Sequence, residues 1–439
     1  MASIFKRLLT NVSALQVYQL FRYGAVIVTA IILTKTSLTQ EEIGTFETFL
    51  FLAGAVSFFW TSGIIHATLS SYPKQDVDKQ PALLFQVFLL LMGTSILFAG
   101  LLFWFAEPVN KFLLTSNNGT FPYYYTLLLF LILNVPSFLS EYILLLKQRY
   151  IAIVLYGSLV FTGQVCFAVV PVLTGYGLGG AINGLIVFGC LKFGFLLILL
   201  AKYAQWRITW PTLYTQAILA GPLTGSFFLS GAAEYIDGLI VRHFFDSADF
   251  ALFRYGAREL PLSLLLANAF SAATVPVVSI NKEKALSNIR QTSLRMMHFL
   301  FPLSIVLAIL SPWLFPIVFN GSFQDSAFIF NIYLLLVITR LLFPQTILIG
   351  MQRNQWLLMS SGIELILNVC LSLLLMQWLG LQGIAIATVI AFLFDKLFLV
   401  SITYFRYAIS PLAYIPIRLY LIYTIVLLIV FYQFTSFTQ

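Results

Sequence analysis

The sequence predicts an all-α polytopic membrane protein: two pseudo-symmetric six-helix lobes around a central cavity, plus one extra C-terminal helix. Three observations predict it. The chain is 60% hydrophobic and only 9% charged, whereas a soluble domain is about half apolar and about a quarter charged. Runs long enough to cross a bilayer, ~20 apolar residues each, follow one another almost end to end. The cations between those runs alternate in density from one loop to the next.

Thirteen spans are expected, at 12–34, 44–70, 82–106, 121–146, 150–172, 178–202, 213–241, 250–278, 296–319, 326–350, 355–378, 381–405 and 415–435. The N-terminus and every second loop then hold fifteen Lys and Arg residues, among them Lys6, Arg7, Lys147, Arg149, Lys282, Arg295 and Arg353. The opposite loops hold three, Lys35, Lys111 and Arg242. Loops on the cytoplasmic side attract Lys and Arg, so the N-terminus is placed inside the cell. No cleavable signal peptide is expected. Cys166, Cys190 and Cys370 lie within apolar runs and read as small core residues. Asn118-Gly119-Thr120 and Asn320-Gly321-Ser322 read as turn formers.

The two halves resemble each other at a spacing near 204 residues. Lys147-Gln148-Arg149 corresponds to Met351-Gln352-Arg353, and Tyr176-Gly177-Leu178-Gly179-Gly180 to Leu379-Gly380-Leu381-Gln382-Gly383. Cys166 and Cys370 fall in register, as do Lys192 and the Asp395-Lys396 pair. Six spans per half is even, so both halves start on one side and form a parallel repeat. The expected lobes are 1–205 and 206–408, with 409–439 as the additional helix.

Particular stretches resemble a known family. Ala220-Gly221-Pro222-Leu223, Glu234-Tyr235-Ile236-Asp237, Phe250-Ala251-Leu252-Phe253-Arg254-Tyr255-Gly256 and Pro261 look like the seventh and eighth helices of polysaccharide flippases. These are the Wzx-like members of the multidrug/oligosaccharidyl-lipid/polysaccharide exporter superfamily. Asn368 to Leu375 and Gly380 to Ala387 are similar to that family's eleventh and twelfth helices, and Glu42-Ile43-Gly44-Thr45-Phe46 also fits. The thirteenth span departs from the twelve or fourteen helices usual there. The resemblance implies a two-lobed transporter of the cytoplasmic membrane that alternates between inward- and outward-facing states. It also implies a cargo, an oligosaccharide on a polyprenyl diphosphate carrier, and a cavity between helices 1, 2, 7 and 8. Arg22, His66, Glu234, Asp237, Arg254 and Arg258 lie on those spans.

Charges inside apolar spans need a reason, because each costs ~3 kcal/mol at bilayer depth. Arg254 and Arg258 are four apart and on one face of a helix. A guanidinium fork binds two oxygens at once, which suits a diphosphate or an acidic sugar. The competing reading is a local pair with Asp237 or Glu259. Arg22, deep in the first span without an acidic neighbour in sequence, is assigned to the cavity. Glu234 and Asp237 share a face and read either as a coupling site for a proton or sodium ion or as counter-ions to the arginines. His66 reads as a cavity-wall group or a proton relay. Arg340 and Glu364 lie at nearly equal distances from the turn at Gln352, which predicts a structural ion pair. Glu141 is expected to meet Lys147 or Arg149, and Lys192 and Lys396 to snorkel to an interface.

The chain lacks a phosphate-binding glycine loop, a His-Glu-x-x-His motif and clustered Cys/His ligands. No cofactor or metal is expected, nor an ATPase domain on this chain to drive the transport. The basic balance belongs to membrane topology, not to nucleic acid. The function expected is flipping of a lipid-linked oligosaccharide, with the bilayer, a polysaccharide polymerase and chain-length machinery as partners. The alternatives are a cation-coupled drug or metabolite exporter and, third, a membrane polymerase or ligase.

Overall fold

The protein, a computed structural model, is described over residues 11–113 and 121–436, with backbone alone at 11–16, 230, 234, 261, 265, 269, 272, 435 and 436. Lys6, Arg7 and Asn118-Gly119-Thr120 lie outside the described residues. In chain order the helices are α1 Asn11–Leu33, α2 Gln40–Ser71, α3 Gln80–Trp104, α4 Ala106–Leu113, α5 Tyr124–Ser137, α6 Leu139–Leu146, α7 Tyr150–Leu173 and α8 Gly177–Tyr203. They continue with α9 Trp210–Phe244, α10 Ser247–Gly256, α11 Pro261–Ile280, α12 Lys282–Val318, α13 Ser326–Leu334, α14 Leu336–Arg340, α15 Pro344–Gly350, α16 Asn354–Phe405 and α17 Ile417–Ser436.

Among the described residues, nine helices, or ten if the bent pair Ser326–Arg340 with Pro344–Gly350 is one span, are long and apolar enough to cross a membrane. That is fewer than the thirteen spans expected: Asn354–Phe405 covers two of them, Val17–Leu33 is a shorter apolar helix, and several others are broken for identifiable reasons. The fourth divides at Phe138, just after Pro136, where the α-helical ladder loses a donor. The eighth stops at Gly256 and restarts at Pro261, which is placed at the start of α11 where its missing N–H costs nothing. The tenth bends by 44° between Arg340 and Pro344.

Spans eleven and twelve form one continuous 52-residue element interrupted at Gly380, with φ 55° and ψ −135°. Only glycine adopts that conformation without strain. The two legs run antiparallel: Asn368 Nδ2 donates to Thr388 Oγ1 at 3.4 Å, and Ser360 bonds to Asp395. Gly177, at the matching turn of the first half, has φ 56°.

The chain forms two compact units, 1–231 with 242–248, and 232–241 with 249–439. In the first, α2 runs in close contact with the first part of α9. A Cβ on Gly63 would lie 2.1 Å from Thr224 Oγ1, and one on Gly44 would lie 1.6 Å from the Ser247 carbonyl oxygen. Small residues at such crossings let backbones approach, and packing then drives helix association in a bilayer. At the other end of α2, Ser71 Oγ and Gln216 exchange hydrogen bonds at 2.9 and 3.2 Å. In the second unit, Leu427 of α17 enters a core with Met297, Leu300 and Phe301 of α12. Tyr420 donates to the Ile338 carbonyl at 3.1 Å, and Tyr423 stacks on Phe301 at 5.3 Å. The additional helix is thereby fixed to this unit, while its other face, Leu421, Ile425 and Ile429, is exposed. The three cysteines are also exposed and unbridged, not core residues as their apolar surroundings suggested. A lipid-facing helix surface is as apolar as a core, so composition does not separate the two. Asn320 does form a turn, its Oδ1 accepting from Ser322 N at 2.9 Å.

Candidate functional site

Each unit encloses a cluster of polar side chains contributed by apolar helices. In the first unit the centre is Glu141 of α6, only 1% exposed. Tyr18, Tyr142, Arg22 and Lys192 are the groups that act on it electrostatically, and its Oε2 is buried with no hydrogen-bond partner among the described residues. Tyr18 and Arg22 are one helical turn apart on α1 and share a face. Tyr18 stacks nearly parallel on Tyr156 of α7, with ring centroids 6.0 Å apart. Lys192 of α8 donates to Asn134 of α5 and lies over the Phe188 ring at 5.3 Å. Arg22, for which no acidic neighbour was visible in sequence, thus has one 119 positions away. Contrary to the sequence expectation, Glu141 is not paired with Lys147 or Arg149 among the described residues. Lys147 lies instead over the rings of Tyr72 and Tyr203, at 5.5 and 5.8 Å. A lone buried charge costs several kcal/mol, about what paired and hydrogen-bonded groups recover; burial therefore draws these five helices to one place.

His66, also in this unit, is exposed. Its Nδ1 lies 2.9 Å from the Ser62 carbonyl of its own helix, and its ring rests against Phe227 at 4.6 Å.

In the second unit the centre is Asp237 of α9, 5% exposed. Its Oδ2 accepts from the Tyr333 hydroxyl at 2.9 Å and from Thr388 Oγ1 at 2.5 Å. Asn368 acts on this carboxylate electrostatically and donates from Nδ2 to Thr388 Oγ1 at 3.4 Å, while Ser372 Oγ donates to Asn368 Oδ1 at 3.0 Å. The hydrogen bonds to Asp237 therefore come from neutral groups. Arg254 of α10 acts electrostatically on Tyr333. The side chain of Glu234 lies outside the described residues.

Arg254 and Arg258 do not share a helical face. The helix ends at Gly256, and Arg258 lies in the link that leads to Pro261, a residue that disfavours helix immediately before it. Its Nε reaches back to the Arg254 carbonyl at 3.3 Å, and its guanidinium lies 5.3 Å from the Tyr255 ring.

Arg340 closes its fork on Glu259, with Nε and Nη2 2.6 and 2.8 Å from the two carboxylate oxygens. Hairpin spacing had pointed to Glu364. That residue, 7% exposed, lies among Asp395, Lys396 and Arg340, which all act on it. Lys396 is buried, not snorkelling, and bonds to Asp395 at 2.9 Å and to Gln345. Glu259 and Glu141 were read with other partners, and Tyr333 and Thr388 escaped the sequence reading, although Asn368 and Thr388 are polar residues in apolar runs and carried that signal.

Comparison with known proteins agrees with this architecture. No curated protein matches by sequence. The lipid II flippase MurJ in an inward closed conformation is similar in structure, with TM-score 0.72 and 16% identity over 96% of this chain and 92% of that one. An inward-facing multidrug resistance MATE family transporter of the MOP superfamily gives TM-score 0.62 at 14% identity, covering 89% and 96%. A MOP superfamily transporter from Pyrococcus furiosus gives 0.53 at 13%, covering 91% and 93%. These likenesses establish the fold. A family profile described as "Polysaccharide biosynthesis protein" matches residues 37–328, more than half of the chain and including the stretches of helices 7 and 8 that suggested it. The chain belongs to this polysaccharide biosynthesis family.

Proposed function

We propose that the protein moves an oligosaccharide carried on a polyprenyl diphosphate from the cytoplasmic to the outer leaflet of the cytoplasmic membrane, by alternating access and without covalent chemistry. One observation carries this reading: a member of a polysaccharide biosynthesis family with the fold of a lipid-linked flippase keeps arginines on apolar helices. Arg22, Arg254 and Arg258 are the groups we assign to the diphosphate and acidic sugars, because planar guanidinium donors match paired phosphate oxygens. The lobes run over 1–205 and 206–408 with the helix 409–439 appended, and the N-terminus is cytoplasmic. A polymerase and chain-length machinery then receive the product.

Asp237 is the coupling group in this account, with Glu234 beside it on the helix. A second reading, cation-coupled export of drugs or metabolites, gains support from the neutral hydrogen-bond shell of Asp237. Charge reversal separates the two. Arg254→Glu with Arg258→Glu should abolish surface polysaccharide while the variant still inserts into the membrane; unchanged polysaccharide together with altered drug accumulation would favour the second reading.

A further inference from the structure

In the first unit the ends of α2, α6 and α8 meet around one ammonium group. Lys147, half-buried just after α6, has its Nζ 5.5 Å from the ring centre of Tyr72 and 5.8 Å from that of Tyr203. Lys202 places a second ammonium 5.4 Å from the same Tyr203 ring. Aromatic faces attract cations at such distances, but the two cations repel each other. Neither forms an ion pair or a hydrogen bond among the described residues. Tyr72 is 4% exposed, and its hydroxyl is likewise without a hydrogen-bond partner among them. The two tyrosines thus gather positive charge that no described carboxylate pairs with.

The link that follows, 204–209, is pinned against α3. Gln86, fully buried, donates from Nε2 to the Arg207 carbonyl at 2.8 Å and to Thr209 Oγ1 at 2.7 Å. Gln205 N bonds to the Pro81 carbonyl at 3.0 Å, and the Trp206 ring lies 5.1 Å from that of Phe85. Held this way, the link and the first residue of α9 expose Trp206, Arg207, Ile208 and Trp210. Indole rings at the ends of apolar helices sit at the headgroup level of a bilayer. The matching place in the second half is built differently. Tyr407, 204 residues after Tyr203, carries Arg353 on its ring at 5.8 Å, and its hydroxyl accepts from Trp356 Nε1 at 3.0 Å. The chain beyond it turns inward, with Ile409, Tyr414 and Ile415 buried in a core with Leu342 and Phe343. The first link instead keeps its apolar and basic residues for an external surface.

We infer that Lys147, Lys202 and Arg207, with Trp206 and Trp210, form a binding site for the phosphate headgroup of an anionic phospholipid in the adjoining leaflet. The phosphate oxygens accept from the ammonium groups and neutralise the charge gathered on Tyr203, while the acyl chains pack on the indole rings. The site ties the link between the two repeats to the membrane surface. It uses none of the arginines assigned to the carrier diphosphate and does not rest on the flippase reading.

The test titrates purified full-length protein in detergent with dioleoyl phosphatidylglycerol or dioleoyl phosphatidylcholine and follows bound lipid by native mass spectrometry. Phosphatidylglycerol should bind about tenfold more tightly. Lys147→Gln and Lys202→Gln should each weaken its binding about fivefold, the worth of one surface cation, and leave phosphatidylcholine unchanged. Tyr203→Leu removes the ring but no charge and should cost about threefold, whereas Tyr203→Phe should stay within twofold of wild type. Lys282→Gln with Lys284→Gln, exposed on the second unit, is the control for charge alone and should also stay within twofold. A loss in this control equal to that of the Lys147 and Lys202 variants overturns the inference, as does wild-type affinity in Lys202→Gln or Tyr203→Leu. If Tyr203→Leu fails to fold, the exposed Lys202 variant still decides. Farnesyl diphosphate and inorganic phosphate are competing arms: displacement of phosphatidylglycerol by either at equal concentration would give the site to a diphosphate carrier or a free anion and overturn the lipid assignment. Equal affinity for the two phospholipids would leave the exposed tryptophans to a protein partner and overturn it as well.

Discussion

Gln148 and Gln352, 204 residues apart, occupy the same left-handed turn. Their φ angles are 56° and 58°. In the first half Gln148 N bonds to the Leu145 carbonyl and Arg149 N to that of Leu144, each at 2.9 Å. In the second half Gln352 N bonds to Ile349 and Arg353 N to Leu348, again each at 2.9 Å. A non-glycine residue in this region costs ~1 kcal/mol or more, so its recurrence at the repeat spacing is a backbone signature of duplication. Valine, branched at Cβ, fits the region worse still. Gln148→Val and Gln352→Val should each lower the thermal midpoint of the detergent-solubilised protein, by similar amounts. Unequal effects, one near zero, would show that the two turns are not under the same constraint.

The pair Arg340 and Glu259 should carry measurable stability. Both side chains are largely buried, at 19% and 15% exposure, and removing one partner of a buried pair costs ~3–5 kcal/mol. Glu259→Gln is expected toward the lower end, because an amide still accepts one of the two hydrogen bonds. Arg340→Lys should not rescue, since a point charge cannot reproduce the two-pronged contact. Thermal unfolding of the single and double variants checks this; fully additive losses would mean that the contact contributes nothing of its own.

Gly44 tests the tight contact of α2. Any side chain there meets the Ser247 carbonyl, which belongs to backbone and cannot rotate away. Gly44→Ala should therefore reduce export severely, while Gly93→Ala, whose Cβ meets nothing within 4 Å, should be tolerated. Surface polysaccharide at matched protein levels is the readout, and equal export by the two variants would contradict the assignment.

Asp237→Asn probes coupling. An amide keeps the shape of the carboxylate but loses the charge that Tyr333 and Thr388 hydrogen-bond. Transport by this variant should become insensitive to an imposed proton or sodium gradient, with the protein still folded. A wild-type gradient response in Asp237→Asn would remove the residue from the coupling role.

The span pattern was legible because it depends on local quantities, hydrophobic length and loop charge. The turns at Gly177 and Gly380 were legible as well, since a left-handed backbone calls for glycine and the two recur in register. The end of α10 was harder: Pro261 announces a boundary, but a fixed spacing of four between Arg254 and Arg258 suggests an unbroken helix. Partners of the buried charges were least legible. Arg340 has acidic residues on either side in sequence, and only packing of α14 against the link before α11 selects Glu259 over Glu364. Arg22 and Glu141 are brought within electrostatic reach by tertiary structure alone, so nothing in the neighbourhood of either names the other.

The central claim is movement of a lipid-linked glycan between leaflets. The direct measurement places a polyprenyl-diphosphate oligosaccharide in proteoliposomes and follows its exposure to a membrane-impermeant glycosidase. The account predicts that purified protein accelerates exposure over protein-free liposomes and that Arg22→Gln or Arg254→Glu removes most of the acceleration. Exposure no faster than in protein-free liposomes, under either an imposed proton or sodium gradient, would contradict it.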